Sequence, residues 1–216
     1  MKFKVKNIEI SGITNKFNLV GLQELNGKNI LLLSGETIKR DLLMNNPIIK
    51  QINVQKKYPD KLILIIETYR PAVYFVVDQG YFILSADGRI LSKIKKDYPQ
   101  NELLPGGIPK INYYQKLNYS SWKNGDYLRY KDIVSALHFL KTALDLGLEI
   151  NTIDINGTNM IALQMKGKKI IFTTEKDESV EDYQLNTIIR QFKIEGRDFD
   201  VLDLRFDKPM VQFKNN

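Results

Sequence analysis

Hydrophobic and polar residues alternate with a period of two along much of this chain, most clearly near its end. In Val201-Leu-Asp-Leu-Arg-Phe206 the alternation sets Val201, Asp203 and Arg205 on one face and Leu202, Leu204 and Phe206 on the other. Asp207-Lys208-Pro209 interrupts the run, and Met210 to Phe213 resumes as a terminal strand. A terminal strand leaves a sheet edge that either pairs with a partner or must be protected from one. That feature points to a protein that works by being bound.

Upstream, the first 70 or so residues read as β-α-α-β-β. Val5, Ile8 and Ile10 mark a strand from Lys4 to Ser11, stopped at Gly12. Leu19, Leu22 and Leu25 fall at helical spacing before Asn26-Gly27, and Ile30 to Leu33 reads as a short buried run. A second helix begins at Thr37, carries Ile38, Leu42 and Leu43 on one face, and closes at Asn45-Asn46-Pro47. Strands Ile48 to Lys57 and Leu62 to Tyr69 follow, joined by Tyr58-Pro59-Asp60-Lys61 with proline placed for a type I turn. The β-branched run Leu62 to Ile66 suits a central strand.

Arg70-Pro71 ends this unit. Strands are then expected at Ala72 to Val77, Tyr81 to Ser85 and Ile90-Leu91, with turns at Asp78-Gln-Gly80 and Ala86-Asp87-Gly88-Arg89. From Lys93 to Asn124 the periodicity breaks down. Pro99, Pro105, Gly106, Gly107, Pro109 and several tyrosines mark an irregular crossing there. Ile133, Leu137, Leu140 and Leu144 predict an amphipathic helix ending at Leu146-Gly147. Strands at Ile150 to Asn156, Met160 to Met165 and Ile170 to Thr173 come next, separated at Gly157-Thr158-Asn159 and Gly167-Lys168, and a helix from about Val180 to Phe192 precedes the terminal pair. The fold class is α+β, with mostly antiparallel sheets in two lobes.

Composition narrows the function. The 216 residues carry a net charge of +7, in keeping with attraction to an acidic partner, an anionic membrane surface or nucleic acid, or with a solvated lysine-rich surface whose bases are mixed with acids. The densest basic clusters are the isolated pairs Lys56-Lys57, Lys95-Lys96 and Lys168-Lys169, with no repeated interleaving of bases and aromatics for stacking nucleobases, so nucleic acid is not an expected partner. With no cysteine there is no thiolate catalysis, Cys-ligated zinc or disulfide. No apolar run approaches a membrane span, so the sequence as it stands reads as soluble.

Several quoted segments together resemble a known family. Ile8-Glu-Ile-Ser-Gly12, Gly27-Lys-Asn-Ile30, Pro47-Ile-Ile-Lys-Gln-Ile-Asn-Val54, Tyr58-Pro59-Asp60-Lys61-Leu62 and Glu67-Thr-Tyr-Arg70-Pro71-Ala72 are similar to a POTRA domain. Phe82 to Leu91, Leu104-Pro105 and Asp203-Leu-Arg-Phe206 extend the match in the order of the FtsQ/DivIB family of bacterial division proteins. The resemblance implies a POTRA domain over residues 1–71 and a β domain over 72–216, the irregular crossing lying at about 93–124. It implies a non-enzymatic, membrane-anchored scaffold on the extracytoplasmic side, binding FtsB/DivIC and FtsL and helping control septal peptidoglycan synthesis. The sequence starts with Lys2-Phe-Lys4 almost at the first POTRA strand, so the N-terminal anchor of that family is expected to lie outside it. The alternative is a POTRA-containing scaffold for protein export or outer-membrane assembly.

Carried over from the family, the partner-binding residues are Arg205, Phe206, Met210, Val211, Gln212 and Phe213, with Lys176 a weak candidate. Backbone pairing along the edge would supply affinity, an arginine fork would meet a partner carboxylate, and an aromatic would fill a pocket. Against this, Arg205 can pair with Asp203 or Asp207, and Phe206 can be core. Ile48 to Lys57 or the first strand offers a second edge. No catalytic, metal or cofactor site is expected. His138, the single histidine, lies mid-helix without a nucleophile motif, and Asp177-Glu178 reads as a helix cap. A glycosidase pair of Asp203 and Asp207 would need a common cleft.

Overall fold

The computed structural model describes residues 3–12, 18–96, 107–157 and 159–213. Pro99, Leu104, Pro105, Gly106 and Thr158 fall outside the described residues. The chain divides into two compact units, Met1–Arg70 and Pro71–Asn216.

The first unit is a three-stranded sheet, β1 (Asn7–Ser11), β2 (Ile49–Lys57) and β3 (Lys61–Thr68), backed by helix α1 (Gly35–Asn45). Strand order is β1-β3-β2, with β1 parallel and β2 antiparallel to β3. The β-branched run is therefore central as expected, but only one face is buried. Leu62, Leu64 and Ile66 join Ile38, Leu42, Ile49 and Ile52 in the core, while Ile63 and Ile65 look the other way. Ser34 caps α1, its Oγ accepting from Thr37 N–H (3.3 Å). Buried Asn46 closes the helix: its Nδ2 donates to Leu42 O (2.8 Å) and Val20 O (3.0 Å), and its Oδ1 accepts from Val20 N–H (2.9 Å). The β2–β3 turn passes through a cis Tyr58–Pro59 peptide.

Two expectations fail here. Where a helix was read over Leu19 to Leu25, the described residues hold a single 3-10 turn, Gln23–Leu25. Gly21 at φ 90° breaks the helix within its first turn and Gly27 at φ 76° closes the segment, outweighing the leucine spacing. Nor is Ile30 to Leu33 a buried run, because Ile30 alone is fully buried and Leu32 is 83% exposed.

The second unit is one nine-stranded sheet covered on one face by two helices. Its elements are β4 (Pro71–Val77), β5 (Gly80–Ser85), β6 (Ile90–Lys95), β7 (Lys110–Tyr113), α2 (Lys131–Asp145), β8 (Thr152–Asn156), β9 (Met160–Met165), β10 (Lys168–Thr173), α3 (Glu178–Glu195), β11 (Phe199–Asp203) and β12 (Met210–Phe213). Strand order is β12-β11-β10-β9-β8-β7-β4-β5-β6. Among the described pairings six are antiparallel and four parallel, so the sheets are mixed with an antiparallel majority. Alternate residues of each strand (Val73, Phe75, Phe82, Leu84, Ile111, Ile153, Ile161, Leu163, Phe172, Leu202) pack against Ile133, Leu137, Phe139 and Leu140 of α2 and Leu185 and Ile189 of α3. Phe139 and Phe172 stack at 4.1 Å, joining helix to sheet.

The described parts of the crossing from Lys93 to Asn124 are more regular than their composition suggests. They contain the end of β6, strand β7 and a 3-10 turn at Tyr119–Ser121. β7 is parallel to both β4 and β8 and thus sits mid-sheet, yet only Ile111 of its four residues is fully buried, too little signal for a period-two reading. Leu144 faces outward; Ala143 takes its core position.

Candidate functional site: the β11–β12 edge

The site is built by three elements meeting at one end of the sheet: the β11–β12 pair, the turn between them, and the loop leading into α3. β11 runs parallel to β10 and antiparallel to β12. Leu204 N–H donates to Ile171 O (2.9 Å), so the even-numbered residues here turn their backbone groups toward β10. Val201 and Asp203 therefore face β12 and make the ladder with their opposites Gln212 and Met210. Val211, between those two, points its N–H and C=O away from β11, to the outer side of the sheet. Its side chain turns inward and packs on the core opposite Leu202.

The opposite end of the sheet is treated differently. Ile90 N–H of β6 donates to Asp126 O (2.8 Å), its C=O accepts from Gly125 N–H (2.7 Å), and Arg89 bridges to Tyr127. Lys93 Nζ reinforces that cover by donating to Tyr119 O and Trp122 O (both 2.6 Å). One edge strand is thus capped where it begins, while among the described residues β12 pairs only with β11.

Arg205 and Phe206 follow β11, which ends at Asp203, so strand alternation no longer governs them. Phe206 does not share the burial of Leu202 and Leu204: it is 49% exposed. Arg205 makes a fork onto Asp203, Nε at 3.0 Å from Oδ1 and Nη2 at 2.7 Å from Oδ2, and its Nη1 lies 3.5 Å from Met160 Sδ. Burial pushes the Asp203 carboxyl up, but hydrogen bonds from the Arg205 side chain and N–H, the guanidinium charge and Lys169 outweigh it and hold the pKa below its ordinary value. The carboxylate in turn raises the Arg205 pKa. The pair leaves Arg205 half-buried, with its guanidinium 5.6 Å from the Phe206 ring.

Lys176 is a support of this turn. Its Nζ donates to Phe206 O (2.9 Å), Leu204 O (3.1 Å) and Gln184 Oε1 (3.4 Å), while Gln184 Nε2 donates to Asp207 O (3.1 Å). The sequence carries no periodic signal linking Gln184, Met160 and the turn, because each reaches it from a different element. Arg197, over the Phe213 ring at 3.9 Å, likewise carries no periodic signal; it follows the α3 cap at Gly196. At the exposed rim stand Met210 (59% exposed), Gln212 and Phe213.

The residues considered for catalysis have structural partners. Asp177 caps α3, its Oδ1 accepting from Ser179 N–H (2.9 Å), and that bond lowers its pKa. His138 Nε2 pairs with Asp182 Oδ2 (2.7 Å), and Ser135 Oγ donates to Glu178 Oε1 (2.5 Å), both between α2 and α3. Among the described residues no group of three or more His, Asp or Glu is placed to hold a metal, and no helix is long and apolar enough to cross a membrane.

Comparison with known proteins adds the ancestry. Residues 3–69 match the family model of the FtsQ-type POTRA domain. The cell division protein DivIB of Clostridium tetani is 28% identical over 181 residues, 81% of this chain. The chain is similar to DivIB-type division proteins along most of its length, and its first unit matches an FtsQ-type domain. DivIB proteins of Clostridium botulinum (strain Hall) and Clostridium acetobutylicum are 32% identical over 100 residues and 29% over 98, each 44% of this chain. The match spans 65% of the length of the Clostridium tetani protein, 38% of the Clostridium botulinum protein and 39% of the Clostridium acetobutylicum protein. The three-stranded unit with α1 is thus an FtsQ-type POTRA domain.

Proposed function

We propose that this chain is a non-enzymatic scaffold of the division machinery that captures an extended segment of an FtsB/DivIC-like partner along β12. The carrying observation is the outward N–H and C=O of Val211 on an edge strand that pairs only with β11 among the described residues. An added strand would bond there while its side chains meet Met210, Gln212 and Phe213. Phe206 offers an exposed aromatic beside it, and Arg205 an oriented guanidinium that a partner carboxylate can share with Asp203. An FtsL-like protein would join the same assembly at the extracytoplasmic face of the cell membrane, helping control septal peptidoglycan synthesis. The FtsQ-type match favours this reading over an export scaffold.

Calorimetric titration with the extracytoplasmic C-terminal segment of the DivIC homologue from the same genome tests it. Val211→Pro removes an outward donor and no ladder bond, so it should fold normally and lose binding. Phe206→Ala should weaken binding roughly tenfold. Wild-type affinity in both folded variants would refute the interface.

A further inference from the structure

We propose that the POTRA unit carries a second, separate contact: a rigid leucine-tipped turn that inserts into an anionic lipid surface. The turn is residues 28–33, Lys-Asn-Ile-Leu-Leu-Leu. Ile30 is its root, fully buried, while Leu31 is 52% and Leu32 83% exposed. Exposed apolar side chains on a loose loop would mean little, but this turn is pinned throughout. Val5 N–H donates to Lys28 O and Ile30 N–H to Phe3 O, both at 2.9 Å. Asn29 Oδ1 accepts from Leu31 N–H (3.1 Å), and Asn29 O accepts from Leu32 N–H (3.1 Å) and Leu33 N–H (3.2 Å). Lys56 Nζ holds Leu33 O from β2. A well-ordered turn that holds two adjacent leucines out, with exposed Phe3 on the segment hydrogen-bonded to it, displays apolar surface by construction.

Charge selects the occupant. Residues 1–70 hold 12 Lys and Arg against 6 Asp and Glu, net +6, whereas residues 71–216 hold 20 against 19, net +1. Almost the whole surplus of the chain therefore rides on the POTRA unit. Lys4 and Lys28, both exposed, flank the turn directly. Glu24 and Asp41 line the groove behind Leu32; Asp41 is paired with Arg40 (3.3 Å), and across the unit as a whole bases outnumber acids two to one. Short apolar insertion flanked by lysines is the chemistry of an interfacial anchor on acidic headgroups, where both terms add.

Cosedimentation of the whole chain with phosphatidylglycerol/phosphatidylcholine vesicles, against phosphatidylcholine alone, tests this independently of β12. Binding is expected on the acidic vesicles only and should fall with salt. The folded double variant Leu31→Ser/Leu32→Ser should lose roughly tenfold or more in partitioning. Lys4→Gln/Lys28→Gln, which leaves the leucines in place, should lose several-fold. No sedimentation with acidic vesicles, or equal binding by the leucine variant, overturns the proposal. So does a concentration-dependent dimer in sedimentation velocity that the leucine variant abolishes, which would assign the turn to self-association.

Discussion

Glu181 gives the most direct test of the physical reading of this fold. It lies in the first turn of α3 with no solvent exposure; Oε1 accepts from Thr173 N–H (2.9 Å), while Oε2 has no partner. Burial raises its pKa from 4.5 to about 7, partly opposed by the Thr173 bond and the charge of Lys176 and reinforced by Glu178 and Asp182. Because the folded state holds this proton more tightly than the unfolded chain, the contribution of Glu181 to stability is fully present below pH 4.5 and is lost as pH rises through about 7. At about 1.4 kcal/mol per pH unit the ceiling on that decline is roughly 3 kcal/mol, and relaxation around the new charge brings the expected change to about 1–2 kcal/mol. Glu181→Gln keeps an acceptor for Thr173 and cannot ionise. Urea unfolding from pH 5 to 8.5 should show the wild type losing that amount and the Gln variant losing distinctly less. Parallel curves for the two proteins would refute the assignment of a neutral buried carboxyl.

Three further substitutions probe the site and its frame. Arg205→Ala leaves Asp203 buried without its fork and should cost about 1–2 kcal/mol at pH 7. Since the Asp203 pKa is held below 3.8, the gap between variant and wild type in a urea series should close as pH falls below that value. Lys176→Met removes the donor to Leu204 O and Phe206 O and should cost about 1–2 kcal/mol, with faster amide exchange confined to residues 204–208. Gly80→Ala puts a Cβ 2.0 Å from Ile94 O at φ 155°, so a thermal melt should show a loss of about 3 kcal/mol or more.

What was legible in the sequence was what burial writes into a period. Helix α2 and the pair β2–β3 each bury one regular face, the hairpin β4–β5 reads as near-continuous apolar runs between turn residues, and the expected spans fall within a residue or two of those found. Legibility fails where backbone geometry or distant contacts decide. The leucines at 19, 22 and 25 have helical spacing, but Gly21 at positive φ interrupts them and Gly27 ends the segment, and what forms between the two glycines is a 3-10 turn. β7 is a strand because two neighbouring strands supply its hydrogen bonds, which four residues of local pattern cannot announce. Phe206 was grouped with Leu202 and Leu204 by parity, but Lys176 and Gln184 take the carbonyls beyond β11 and turn the chain before parity can apply.

That last failure also explains why the edge is suited to binding. Had β11 continued through Phe206, the aromatic ring would be core and the fork of Arg205 would lie along the sheet. Ending the strand at Asp203 instead lets one buried carboxylate orient Arg205, lets Lys176 hold the turn, and leaves Phe206 exposed in the turn that leads into β12. The pieces that hold the turn are half-buried and hydrogen-bonded, and those that face outward are apolar or unpaired on their outer side. A partner strand would therefore meet an edge already ordered, so little conformational entropy remains to be lost on this side of the interface. The corollary is specific: Lys176→Met, which touches no proposed contact side chain, should weaken partner binding through the turn alone, and Gln184→Ala should do so to a lesser degree. Should both leave the titration unchanged while amide exchange at residues 204–208 rises, Phe206 and the turn lie outside the interface, and recognition rests on β12 by itself.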